Sequence, residues 1–281
     1  MSVRIIVDST ADVTPDVKAQ VLTVPLTVHF GEEEYVDGVT ITHKEFYEKL
    51  VESHVLPHTS QATPAAFGAV FAAVAAAGDT AVVITLSQTL SGTYQSAVIA
   101  AEDYPQIHVV DSASAAVGAG ILAARACCLV QEGASAAAVA AALEREKGDV
   151  RIVALLDTLE YLKRGGRISK TVALAGGLLS IKPVISLEDG EIRMLGKARG
   201  SKQGNNLLVT EIEKAGGVDF TRPLLLGYTG LSDALLQKYV ADSEALWKAA
   251  GGPLPTACVG SVIGTHAGPG AIAVAFFRNR A

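Results

Sequence analysis

Positive charge, aromatic rings and cysteine are all scarce in this chain. Lysine and arginine together number 23 against 29 acidic residues, a net charge of −6. Without a basic stripe or tail, a nucleic-acid partner is not expected. Aromatic residues make up 5% of the chain, too few for a base-stacking surface. The three cysteines, Cys127, Cys128 and Cys258, form neither a CxxC pair nor a Cys/His cluster, so no metal site is expected. An odd number without a disulfide framework fits a reducing cytoplasm, where small buried thiols are the simplest reading. Long unbroken apolar runs are missing too. Thr80–Ala101 and Val259–Ala275 are interrupted by Gly, Ser, Thr, Gln or Pro, a poor fit to a membrane span of ~20 apolar residues. The first residues enter a strand directly, with no signal-peptide pattern.

What the chain does have is apolar bulk, 49% hydrophobic residues over 281 positions, enough for one large or two modest domains. Short apolar runs alternate with Ala-rich helical segments. Val3–Val7, Val21–Phe30, Ala81–Leu86, Ile107–Val110 and Arg151–Leu156 read as strands. Thr42–Glu52, Pro64–Ala77, Gly92–Asp103, Ala115–Glu132 and Ser135–Lys147 read as helices, with Thr42 and Glu45 forming a capping box. That alternation predicts an α/β fold with a mainly parallel sheet covered on both faces, over residues 1–157.

From residue 158 to 281 the pattern becomes an α+β mixture. Leu159–Arg164, Val172–Leu179, Asn205–Lys214 and Asp233–Ala249 read as helices. Pro183–Leu187 and Ile192–Leu195 flank the hairpin turn Glu188-Asp189-Gly190. Leu224–Tyr228, Thr256–Ile263 and Ala271–Phe277 read as strands. The sequence therefore predicts two closely packed domains.

Ligands of open α/β sheets bind beyond the C-terminal ends of strands. The segments there are rich in hydroxyls and amides: Asp8-Ser9-Thr10, His58-Thr59-Ser60-Gln61, Ser87 through Thr93, and Asp111-Ser112. Ser91-Gly92-Thr93 has the form of a helix-opening anion loop, although Ser91 as a simple cap is the plainer reading. Asp8 and Asp111 read better as acceptors for neighbouring loop N–H groups than as a carboxylate pair. In Tyr161 through Ser169, three cations surround Gly165-Gly166. The run reads either as a solvated face or as an anion or partner contact, with the glycines aiming Arg167 away from the helix. His266 sits in a Gly-rich stretch read as a loop between two strands.

Taken in order, these segments resemble the DegV family. The matching pieces are Val7 through Asp12, Thr59-Ser60-Gln61, Leu90 through Ala97, Val110-Asp111-Ser112, Tyr161 through Ile168, Lys182-Pro183 and Gly264 through Ala271. The resemblance implies a two-domain, DegV-like fold that binds a long-chain fatty acid between or within the domains. It also implies a role as the lipid-binding subunit of bacterial fatty acid kinase. There a separate ATP-dependent kinase subunit phosphorylates the acyl carboxylate for phospholipid synthesis, so this chain is expected to be no enzyme by itself and to need no cofactor. The expected setting is the cytoplasm, with room for transient membrane contact. Carried over position by position, Thr59, Ser60, Ser91, Gly92 and His266 match the carboxylate site, while Arg167 and Arg199 match contacts to the partner or the transferred phosphate. After Arg199 the chain departs from the family pattern, reading Gly200-Ser201-Lys202-Gln203. Two other functions compete: a serine hydrolase using Ser91 and His266, and a small-sugar phosphotransfer subunit with a polar pocket.

Overall fold

The computed structural model describes residues 2–168 and 181–280, and among them the strands form three sheets. Strands β1 (Val3–Asp8), β2 (Val21–Val24), β6 (Thr80–Thr85) and β7 (Ile107–Asp111) make a parallel sheet in the order β2-β1-β6-β7. Its central strands are runs of Val, Ile and Ala buried on both faces, as parallel strands covered by helices must be. A small antiparallel sheet holds β3 (Thr27–Phe30) between β4 (Glu33–Val36) and β5 (His58–Ser60). The third sheet runs β10-β9-β8-β13-β11-β12, from β8 (Val150–Leu155), β9 (Ile181–Glu188), β10 (Glu191–Arg199), β11 (Leu225–Tyr228), β12 (Thr256–Cys258) and β13 (Ile272–Phe277).

The helix Ala116–Gln131 joins the layers. It is buried along most of its length and packs against strands of both the parallel and the mixed sheet. Its alanines and glycines allow that double contact. A Cβ on Gly120 would overlap the backbone oxygen of Asp12, so any larger residue there would push the helix off the β1 loop. The predicted capping box is present, with Thr42 Oγ1 accepting from Glu45 N and the Glu45 carboxylate accepting from Thr42 N.

Several expected elements differ. Val21–Phe30 is not one strand: Pro25, lacking an N–H, separates β2 from β3, which enter different sheets. The Arg151–Leu156 run, read with the parallel sheet, is β8 and pairs antiparallel with β9 and β13. Its apolar pattern is that of any strand buried on both faces, and sheet membership is not encoded locally. The Asp233–Ala249 helix is broken at Ser243, giving Ala234–Asp242 and Glu244–Trp247. The Thr256–Ile263 strand stops at Cys258, and Ser261–Ala267 is a helix. Val172–Leu179 lies outside the described residues.

Candidate functional site

A cavity of about 420 Å³ lies between the parallel and small sheets on one side and the mixed sheet on the other. Strand register builds its floor. Ile185 pairs with Ala154, Ala154 with Ala273, and Ala273 with Gly227, and all four line the cavity. The residues alternating with them, Val153, Val184, Leu226 and Val274, fill a separate core on the other face. Ala154, Ala273 and Gly227, the small members of this row, leave room beside Ile152 and Leu187, which also line the cavity. Apart from one polar end and from Ser186, Tyr228 and Thr229, the lining is largely Leu, Ile, Val and Ala.

The polar end gathers Thr59, Ser60, Gln61, Ser91, Gly92, Arg167 and His266. Thr59 and Ser60 are not loop residues, as expected, but the end of β5, a strand the sequence reading did not anticipate. Successive strand residues face opposite ways. Thr59 Oγ1 meets His266 Nε2 at 3.0 Å, whereas Ser60 Oγ meets His29 Nε2 at 3.0 Å on the outer side.

His266 is carried by the Ser261–Ala267 helix rather than by a loop. Two buried carboxylates anchor the start of that helix. Asp12 accepts from Gly260 N at 2.8 Å, and Asp37 accepts from Ser261 Oγ at 2.5 Å and Ser261 N at 3.3 Å. At the other end the ring of His266 presses on Gly165, where a Cβ would overlap Nδ1. Nδ1 is buried without a hydrogen bond. Burial, and then the nearby Arg167 charge, push the imidazole down to about 4, so it is neutral at physiological pH.

Ser91 is not the helix cap; Gly92 is, at the head of Thr93–Ala101. Ser91 Oγ instead pairs with Thr93 Oγ1 at 2.9 Å and accepts from Thr93 N at 3.3 Å. Gly92 has no room for a side chain, because Gln61 Oε1 occupies that space while Gln61 Nε2 donates to Ser96 Oγ at 2.9 Å. The positive end of this helix thus faces the same chamber as the hydroxyls. Ser91 and His266 both line the cavity, but each is hydrogen-bonded to a different threonine.

Arg167 is the only Lys, Arg, Asp or Glu in the lining among the described residues. Gly166, at φ 71°, turns the chain after the Glu160–Arg164 helix and sends Arg167 inward. Its Nε donates to Leu90 O at 3.2 Å and Nη1 to Gly165 O at 2.6 Å, which straps the Ser91 loop to the His266 wall. Lys163 and Arg164 are exposed. Arg199 is exposed at the end of β10, outside the cavity lining.

The other sequence candidates have local roles. Asp8 accepts from Thr10 N, Thr10 Oγ1 and Leu86 N, and Asp111 accepts from Gln88 N and Ala113 N. Burial pushes the Cys127 and Cys258 thiols up to about 11, so neither is poised as a nucleophile. Gln61 belongs to the motif quoted above but was not singled out as a site residue. Thr229, just past β11, was missed, although a polar residue at a strand end is the signal that marks such positions. No helix among the described residues is long and apolar enough to cross a membrane.

Comparison with known proteins places this architecture. A DegV domain-containing protein of Caldanaerobacter subterraneus subsp. tengcongensis is 35% identical, over 98% of each chain. The solved structure of a DegV family protein from Thermus thermophilus, described for its fatty acid binding, is 33% identical. It covers 99% of this chain and 100% of its own, with a TM-score of 0.86. A stearic-acid-binding protein from Eubacterium ventriosum is 28% identical, covering 99% of this chain and 98% of its own, with the same TM-score of 0.86. The DegV family model matches residues 2–279, and the chain belongs to the DegV family.

Proposed function

We propose that this protein binds one long-chain fatty acid, with the alkyl tail over the Ile185–Ala154–Ala273–Gly227 floor and the carboxylate among Thr59, Ser60, Ser91, Gly92 and His266. The observation that carries this reading is the division of the cavity: largely apolar walls, with hydroxyls, one neutral imidazole, Arg167 and a helix N-terminus at one end. An acyl chain of about 14 methylenes buried at ~0.8 kcal/mol each offers on the order of 11 kcal/mol before ordering costs. The carboxylate, costly to bury unpaired, finds neutral donors there. The fatty acids held by the Thermus and Eubacterium relatives support the same assignment.

Neutral donors leave a carboxylate oxygen nucleophilic. A guanidinium locked on both oxygens would not. We infer that the chain presents this oxygen to the separate ATP-dependent kinase subunit that the family resemblance implies. Arg167 then stands at the rim near the incoming phosphate, and Arg199 serves as an outer partner contact. The apolar lining disfavours a small sugar. The separate partners of Ser91 and His266 disfavour a hydrolase. Denaturing the purified protein and weighing what is released by mass spectrometry tests the reading. A long-chain fatty acid is expected. A hydrophilic ligand, or failure to take up added palmitate, would refute it.

A further inference from the structure

The mixed-sheet wall of the cavity carries a buried hydroxyl whose proton is unspent. Gly227 pairs with Ala273 in the cavity floor. The ladder runs on past the end of β11, where Thr229 N donates to Ala271 O at 3.0 Å. Residues two apart along a strand share a face, which puts Thr229 on the cavity side with Gly227. Thr229 lines the cavity and is 4% exposed. Tyr228, between them, packs against the core on the far side of the sheet. Thr229 O accepts from Gly270 N at 3.1 Å, and its Oγ1 accepts from Ala271 N at 2.8 Å. The main chain therefore holds this residue in one orientation.

A hydroxyl has one proton and two lone pairs. A backbone N–H can only donate, so Ala271 N takes one lone pair and leaves the proton. Among the described residues nothing accepts that proton. An alkyl chain lying against Thr229 would strip water from the O–H and return no acceptor, which is costly for a buried polar group. An oxygen on the chain restores the bond. That oxygen is best uncharged. Arg167, the one charged side chain in the lining among the described residues, stands at the polar end, so no cation at Thr229 would offset a carboxylate. A hydroxyl is the neutral group that can either accept the Thr229 proton or donate to its remaining lone pair. The other polar residues of this wall are committed elsewhere. Ser186 Oγ donates to Glu188 Oε1 at 3.0 Å, and the Tyr228 ring turns to the far core.

We propose that Thr229 is a specificity-determining residue that pairs with a hydroxyl along the bound chain, so that the preferred ligand is a hydroxylated long-chain fatty acid. The inference rests on the fatty-acid reading and narrows its substrate class. Plain acids still bind, because the carboxylate site and the apolar floor serve both. They lose the one hydrogen bond that a site built around a hydroxyl supplies.

The test is a competition. The full-length protein, freed of lipid, is equilibrated with an equimolar mixture of palmitate and every positional isomer of racemic monohydroxypalmitate. Retained acids are released by denaturation and identified by chromatography with mass spectrometry. Wild type should retain one isomer, or two neighbouring ones, about tenfold over palmitate, the effect of one hydrogen bond. Thr229→Val should lose that enrichment and still retain palmitate. Thr229→Ser, which keeps the hydroxyl, should keep it. Thr229→Val also leaves Ala271 N without an acceptor, so a crystal structure of wild type with the enriched isomer supplies a readout that needs no variant. The ligand hydroxyl should lie within hydrogen-bond reach of Thr229 Oγ1. No enriched isomer in wild type, undiminished enrichment in Thr229→Val, or a ligand hydroxyl away from Thr229 overturns this assignment while leaving fatty-acid binding standing. Retention of neither palmitate nor any isomer overturns the fatty-acid reading and the assignment with it.

Discussion

Thr59 and His266 stand 207 positions apart in the chain and share a hydrogen bond of 3.0 Å. Their contact ties the edge of the small sheet to the helix that closes the cavity. It depends on the Asp12 and Asp37 carboxylates at one end of that helix and on a bare glycine at the other.

Gly165→Ala tests that glycine. The residue has an ordinary φ of −70°, so alanine brings no backbone strain, but its Cβ would overlap His266 Nδ1 and force the ring off Thr59. Palmitate affinity should fall about tenfold with little loss of folding stability. Gly166→Ala is the contrast: its φ of 71° strains any side chain, yet nothing stands within 4 Å. It should cost about 1 kcal/mol of stability and leave affinity unchanged. Equilibrium urea unfolding and palmitate titration separate the two.

His266 makes folding stability fall in mild acid. Its folded value is about 4 against an ordinary 6.5, so between those values the unfolded chain binds the extra proton. This contribution is complete above 6.5, is lost as pH falls, and is spent by about 4. The loss between pH 7 and pH 5 amounts to about 2 kcal/mol. Asp12, held well above the usual carboxylate range by burial, acts in the opposite direction, so total stability is a poor readout. The difference between wild type and His266→Gln, from urea unfolding at the two pH values, isolates the effect. A pH-independent difference would contradict the buried, neutral imidazole.

Ala273 is the position at which the proposed length of the tail can be tested. Its methyl points into the cavity from the centre of the floor, between Ala154 and Gly227. In a closely packed wall, Ala273→Leu should displace about three methylenes of ligand. The fatty acids retained from an equimolar mixture of chain lengths, read by mass spectrometry, should shift toward shorter acids. Val274→Ala faces the other core. It should cost about 1–3 kcal/mol of stability and leave the chain-length profile in place.

Arg167→Ala separates binding from transfer. Its guanidinium donates to Leu90 O and Gly165 O. Palmitate affinity should stay within about threefold of wild type. Acyl-phosphate formation with a kinase subunit should drop about a hundredfold, as when one charge-stabilising donor is removed from a transfer site. Equal losses in both assays would put Arg167 on the carboxylate itself.

Much of the fold is legible locally. The capping box at Thr42 and Glu45, the Thr63-Pro64 helix start and the hairpin turn at Asp189-Gly190 all form where their residue types require them. The errors share a cause. Pro25 was read through rather than as a break, and Ser261–Ala267, short and rich in small residues, carries no helical periodicity strong enough to override its strand-like neighbours. The polar cavity residues were nearly all visible in the ordered motifs, but their pairings were not. Ser91 and His266 read as a conceivable pair, yet each found a threonine instead.

The amino-acid order by itself determined which segments are apolar, where helices begin, which glycines turn the chain, and that small hydroxyl residues follow the strands. These depend on interactions within a few residues. The tertiary structure alone decided that β8 crosses into the mixed sheet, that Ala154, Ala273 and Gly227 align as one floor, and that His29 meets Ser60 while His266 meets Thr59. Those relationships join residues far apart in the chain, and they are fixed by sheet register and packing, which no local stretch of sequence encodes.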